Sequence, residues 1–231
     1  RYWIGIAIVV LLPFTQWLLR GIARGPRIER SGKSALGQLG EGLVVLLRSR
    51  YVWAALPAAA VMPFCGTAIM FHITTIAEAN HWPAEAVAAA FPVGAVCNVI
   101  GLFASGWIID RLSARKVFLV QAVPFVIGMS VLALVREPWA LPFAFAGQGF
   151  SGGITKTTLT AVWAEMFGTE VLGTIRSAIA MYMVFASALA PFAFGAALDA
   201  GWTVSGVLAA FIAYGLIAAI PPIFAERRGF A

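Results

Sequence analysis

The chain has 231 residues, 61% of them hydrophobic and only 11% charged, with a formal net charge of +6. Globular domains are about one-quarter charged, so a water-soluble fold of this composition would expose large apolar patches. The positive balance does not point to nucleic acid either, because no basic patch interleaves with aromatic residues.

Apolar runs of about 20 residues recur, the length that crosses roughly 30 Å of hydrocarbon. The expected class is therefore all-α, a polytopic transmembrane helix bundle. A first span is expected at about 2–19, with Tyr2, Trp3 and Trp17 near its ends in the interfacial aromatic belt and Pro13 tolerated inside. Residues 20–51 carry Arg20, Arg24, Arg27, Arg30, Lys33, Arg48 and Arg50 against Glu29 and Glu41, and Gly21, Gly25, Pro26 and Gly32 break helical continuity. This reads as a linker. In its second part Leu36, Leu39, Leu43, Leu46 and Leu47 recur at helical spacing, which predicts a short amphipathic helix on the inner membrane surface or packed on the spans.

Six further spans are expected at about 52–76, 86–109, 117–135, 139–163, 177–199 and 202–224, seven in all. The connections 77–85, 136–138 and 200–201 are short and poor in Lys and Arg. Sorted by side, thirteen basic residues fall with the 20–51 linker and two, Arg1 and Arg136, fall opposite. Retention of Lys and Arg in the cytoplasm then predicts that the linker and the C-terminus are cytoplasmic. Cys65 and Cys97 lie inside apolar runs without metal-ligand spacing and read as small buried hydrophobes. The sequence opens at Arg1 directly in a span, and reads as part of something longer.

One loop is more informative than its neighbours. Gly106-Trp-Ile-Ile-Asp110-Arg111-Leu-Ser113-Ala-Arg115-Lys116 joins two apolar runs through a very short basic link. It resembles the loop signature of the major facilitator superfamily: Gly, three residues, Asp-Arg, one residue, Gly, one residue and two basic residues. Ser113 stands where that family usually has Gly, a departure that weakens the case for a turn with φ > 0. Residues 163–177 also look like the segment bacterial members carry between their tenth and eleventh helices. The resemblance covers nearly the whole chain. It implies the last helix of an N-terminal half at 1–20, a cytoplasmic linker with an amphipathic helix at 21–51, and a C-terminal six-helix domain at 52–231. Gly106-x-x-x-Asp110 is echoed by Gly195-x-x-x-Asp199 at the end of the equivalent helix, as a 3+3 inverted repeat of the last six spans would show.

Lys156 lies within the expected fifth span, roughly 9 Å from the cytoplasmic interface at 1.5 Å per residue. A lysine there costs about 2.5–3.5 kcal/mol on insertion scales, so it contacts an anionic substrate, pairs with a charge across the cavity, or snorkels to the headgroups. Gly149, Gly152, Lys156, Thr160 and Trp163 form one helical stripe, with Gln148, Ser151, Thr155, Thr157 and Thr158 nearby. Such a stripe should face protein or water, and the glycines admit a close neighbouring helix. By resemblance, the second, third, fifth and sixth spans line a central cavity. That makes Lys156, Gln148, Asn98, Tyr182 and Thr160 the candidate substrate-binding residues. His72 is an interfacial histidine or a gating one, and Gln121 falls on a peripheral span. The resemblance further implies that Asp110 helps stabilise the outward-facing state, in a conformational latch with Arg111, Arg115, Arg176 and Glu165.

The sequence carries no nucleophile elbow, no phosphate-cradling Gly-x-x-x-x-Gly-Lys and no paired carboxylates in one span. No enzyme activity, metal or cofactor is expected. The reading is a secondary active transporter working by alternating access, best matched to an organic anion such as a carboxylate. Its expected partners are a small-molecule substrate, the lipid bilayer, a coupling proton or exchanged anion, and the N-terminal half. A proton-coupled drug efflux transporter is the alternative. A non-transporting receptor or scaffold is the alternative of another class, although a retinal-type site would need its lysine on the last span and an acidic counter-ion. The expected location is a bacterial inner membrane.

Overall fold

The computed structural model describes residues 35–168 and 170–227. Ten helices follow one another there: α1 (Ala35–Arg48), α2 (Arg50–Phe71), α3 (Ile73–Ala79), α4 (Ala84–Leu112), α5 (Ala114–Val120), α6 (Val123–Leu134), α7 (Ala140–Phe167), α8 (Leu172–Asp199), α9 (Val204–Ile217) and α10 (Ile220–Arg227). The expected first span, 2–19, and the first part of the linker lie outside the described residues. From Leu36 onward the chain forms one compact unit.

Among the described residues five segments are long and apolar enough to cross a bilayer by length and composition: Arg50–Phe71, Ala84–Leu112, Ala114–Leu134, Leu172–Asp199 and Val204–Ala225. The expected fifth span, α7, is 28 residues long but falls outside that set. The physical reason is its polar content. Ser151, Thr155 and Thr158 are buried, so their polarity is turned towards neighbouring helices instead of lipid.

Local chemistry explains where the helices stop. The helix α2 begins at Ser49, whose hydroxyl accepts from the Val52 N–H. It breaks at His72 and resumes as α3, which ends where the Asn80 side chain donates to the Ile76 carbonyl at 2.8 Å. His81 then adopts φ 57°, and buried Trp82 donates its indole N–H to the Arg136 carbonyl, pinning one interhelical loop to another. The expected fourth span is two helices, α5 and α6, broken at Gln121–Ala122 just before Pro124. At the break the Phe125 N–H donates to the buried Ser151 hydroxyl at 2.9 Å. Gln121 is also buried there, and its amide has no hydrogen-bond partner among the described residues.

Between α4 and α5 the turn at Ser113 has φ 77° and ψ 149°. The turn with positive φ is therefore present although the residue is not glycine. A Cβ in this region is strained by about 1–3 kcal/mol. We expect Ser113→Gly to stabilise the folded protein by about 1 kcal/mol, read as a raised thermal-unfolding midpoint in detergent; an unchanged or lowered midpoint contradicts the strain.

Two parallel helix pairs organise the core. The contacts Thr67–Ser187 (2.8 Å) and His72–Pro191 (3.1 Å) span 120 and 119 residues. A constant offset means that α2 and α8 run the same way. Asn98–Gly149 and, two residues beyond the end of α4, Ala114–Glu165 both span 51 residues, so α4 and α7 are also parallel. Glycines let this second pair close: a Cβ at Gly149 would collide with the Gly94 carbonyl oxygen, and one at Gly153 with the carbonyl oxygen of Asn98. Phe118, Phe125, Met129, Leu141, Trp163, Ile175, Phe194 and Leu208 fill the space between elements. By contrast α4 buries little more than Ala90, Gly101 and Ser105, while Phe103 on α4 and Phe192 on α8 are 81% and 76% exposed. These outward apolar faces are those of a protein solvated by hydrocarbon.

Candidate functional site

The polar stripe of α7 opens onto a cavity of about 490 Å³. From α7 it is lined by Phe145, Gln148, Gly149, Gly152, Thr155 and Lys156; from α4 by Phe91, Gly94, Ala95 and Asn98. Met62, Pro63 and Met70 of α2 and Met183 of α8 complete the wall. The close approach of α4 and α7 sets the geometry. It brings Asn98 against the α7 backbone, where its amide donates to the Gly149 carbonyl at 3.0 Å. The other end of that amide accepts from Lys156 Nζ at 3.4 Å. Gly152 keeps the space clear, since a Cβ there would lie 3.1 Å from the Asn98 nitrogen.

Lys156 is exposed on the cavity wall and is the only charged residue lining it among the described residues. Its ammonium bonds across to α4 and not along its own helix, and no carboxylate pairs with it among the described residues. Gln148 donates to the Gly66 carbonyl at 3.4 Å, tying α7 to α2. Three of the five expected substrate residues, Lys156, Gln148 and Asn98, thus meet in one cavity.

The other two lie elsewhere. Thr160 donates to the Lys156 carbonyl at 3.2 Å and lines a smaller cavity of about 200 Å³, together with Lys156, Trp163, Arg176 and Met183. Tyr182 lines none of the described cavities. On α8 the cavity-facing stripe is Ala180, Met183, Val184, Ser187 and Pro191, and Tyr182 projects from the opposite side of the helix at 100° per residue. A third cavity, of about 690 Å³, runs between α2 and α8 beside the Thr67–Ser187 hydroxyl pair. His72 stacks on Phe194 with ring centroids 4.3 Å apart and donates Nε2–H to the Pro191 carbonyl, the contacts of a packing residue. The apolar walls, Met62, Met70, Phe91, Phe145 and Met183, carry no signal in a sequence where every span is apolar.

The five expected latch residues gather at one end of the bundle, around the α4–α5 turn and the α7–α8 connection. Glu165 accepts from the Ala114 N–H at 3.0 Å, so its carboxylate caps the start of α5, a role Ser113 at the cap does not fill. Arg111 places its guanidinium 4.0 Å above the Trp107 ring. Asp110 is exposed, and among the described residues neither it nor Arg115 forms an ion pair. The carboxylate of Glu165 therefore meets a backbone amide and not a guanidinium.

No curated protein matches the chain in sequence. A family model described as Major Facilitator Superfamily matches residues 2–191 and 73–229. With the Gly106–Lys116 loop and the helical bundle, this match makes the chain an integral membrane protein that belongs to the major facilitator superfamily of secondary transporters of small solutes.

Proposed function

We propose that this transporter carries a small organic anion such as a carboxylate, by alternating access about the cavity between α2, α4, α7 and α8. The observation that carries the reading is Lys156: the one cation on the cavity wall among the described residues, exposed there and held by Asn98. An unpaired ammonium within a span is unfavourable, and an anionic solute supplies the missing charge. The apolar wall favours a second reading, proton-coupled efflux of a hydrophobic drug. Among the described residues no acidic side chain lines the cavity to attract a cation or carry the proton.

The proposal extends to the chain's organisation: the last helix of an N-terminal half at 1–20, a linker at 21–51 and a six-helix domain from 52 in a 3+3 inverted repeat. The reciprocal pairing supports the repeat. The first helix of one triple, α2, pairs with the second of the other, α8, while α4 pairs with α7. The end that holds Arg111, Arg115, Lys116 and Arg176 is assigned to the cytoplasm of a bacterial inner membrane, because Arg136 is the only Lys or Arg at the opposite end among the described residues. Asp110, Arg111, Arg115, Arg176 and Glu165 would then latch that face, with a proton or exchanged anion as the coupling species.

The test is transport by the full-length protein in proteoliposomes. Accumulation of a labelled organic monoanion, with no extrusion of the lipophilic cation ethidium, is the expected result. Ethidium extrusion without anion uptake would give the efflux reading the place of this one.

A further inference from the structure

The cavity is chemically divided along its length, and this division specifies more of the ligand than its sign. The geometry points to a single-headed anion, with one carboxylate and an apolar, ring-sized body, bound with the carboxylate at Lys156 and the body against Phe91 and Phe145. The inference rests on the anion reading above and adds the shape and polarity of the solute.

Three observations carry it. The first is that the positive charge is local. Lys156 Nζ bonds Asn98, and Asn98 bonds the Gly149 carbonyl, so the ammonium is held near the Gly149–Gly152 turn of α7. The second is that the far end is greasy. Phe91 and Phe145 meet edge to face with centroids 5.1 Å apart, and Met70 lines the same cavity. Phe145 stands seven residues before Gly152, roughly 10 Å along the helix at 1.5 Å per residue. That span suits a carboxylate joined through a short chain to one ring, whose edges and faces find aromatic partners. The third is that no second cation lines the cavity among the described residues. A second carboxylate on the body would be placed among Phe91, Phe145 and Met70 with no cation beside it among the described residues, only the Gln148 amide that already donates to the Gly66 carbonyl, an unfavourable desolvation. A small anion without a body would leave the apolar wall unused. Asn98 acts here as a positioning residue: its carbonyl oxygen fixes the ammonium, and its own amide is fixed by the backbone of α7.

The experiment compares four solutes on the full-length protein in proteoliposomes: 3-phenylpropanoate, phenylsuccinate (the same body with a second carboxylate), 3-phenylpropanamide (the same body without charge) and acetate. Uptake of 3-phenylpropanoate is expected, with the other three competing at concentrations at least 10-fold higher. Phe91→Ala, at a residue already half-open on the cavity wall, should raise KM for 3-phenylpropanoate about 10-fold and leave competition by acetate unchanged. Phenylsuccinate or acetate competing as well as 3-phenylpropanoate overturns the inference and leaves the anion reading standing. The neutral amide competing equally well, or none of the three anions being carried, overturns both.

Discussion

Replacing Lys156 by Gln should lower anion uptake about 100-fold while the protein still folds. The magnitude follows from losing the charged partner of a desolvated carboxylate, about 2–5 kcal/mol, at about 1.4 kcal/mol per factor of ten. The loss should appear mainly in KM, because the ammonium binds the ground state of a solute that undergoes no chemistry. Folding is spared because the side chain makes one long hydrogen bond, 3.4 Å to Asn98, and fills no buried space. Removing its charge also makes insertion of α7 easier. Lys156→Arg should retain part of the activity, since the charge remains but the planar guanidinium does not reproduce a point ammonium. Wild-type uptake by the Gln variant, at normal levels in the membrane, would remove Lys156 from the pathway.

The second large effect concerns the fold. Gly153→Leu should abolish the folded, monodisperse protein. Its Cβ would run into the carbonyl oxygen of Asn98, and the Leu102 amide and Gly101 carbonyl carbon lie close behind. These are backbone atoms of α4, which move only if the two helices part. Parting them also opens the cavity wall at Asn98. Overpacking of this kind costs about 1–3 kcal/mol where side chains can yield, and more is expected against backbone. Gly106→Ala, on the same α4, is the control, because a Cβ there meets nothing within 4 Å. It should be neutral or stabilise by up to about 1 kcal/mol, since Ala favours helix over Gly. Fluorescence-detected size exclusion reads both variants. A monodisperse Gly153→Leu protein would contradict the close packing of α4 on α7.

Much of this was legible in the residues. Apolar run length marked where most of the described helices lie, because hydrocarbon thickness imposes that length. Lys156 and Asn98 were legible because a polar side chain inside a span has few tolerable surroundings. The break of the fourth span at Gln121 was less so. Pro124 alone does not say whether a helix kinks or stops, and the outcome depends on Ser151, 26 residues away, accepting the Phe125 amide. Tyr182 was placed by helix identity alone; its rotation about α8 depends on the α2 pairing, which no local pattern encodes. The turn at Ser113 keeps its positive φ because Glu165 caps the following helix from another element. Nothing near Ser113 in sequence announces that contact. The apolar half of the cavity was invisible for the simplest reason: in a chain that is 61% hydrophobic, a methionine facing a ligand looks like one facing lipid.

The decisive measurement places a cysteine at Ala95, on the same cavity wall with Lys156 left in place, in the full-length protein with Cys65 and Cys97 replaced by alanine, and treats intact membranes with a charged, membrane-impermeant methanethiosulfonate. If the cavity is a water-filled route through the bilayer, the thiol is modified, and a transported anion slows the reaction. A thiol that ignores this reagent but reacts with a lipid-soluble maleimide would face hydrocarbon, and the cavity would not be the transport pathway.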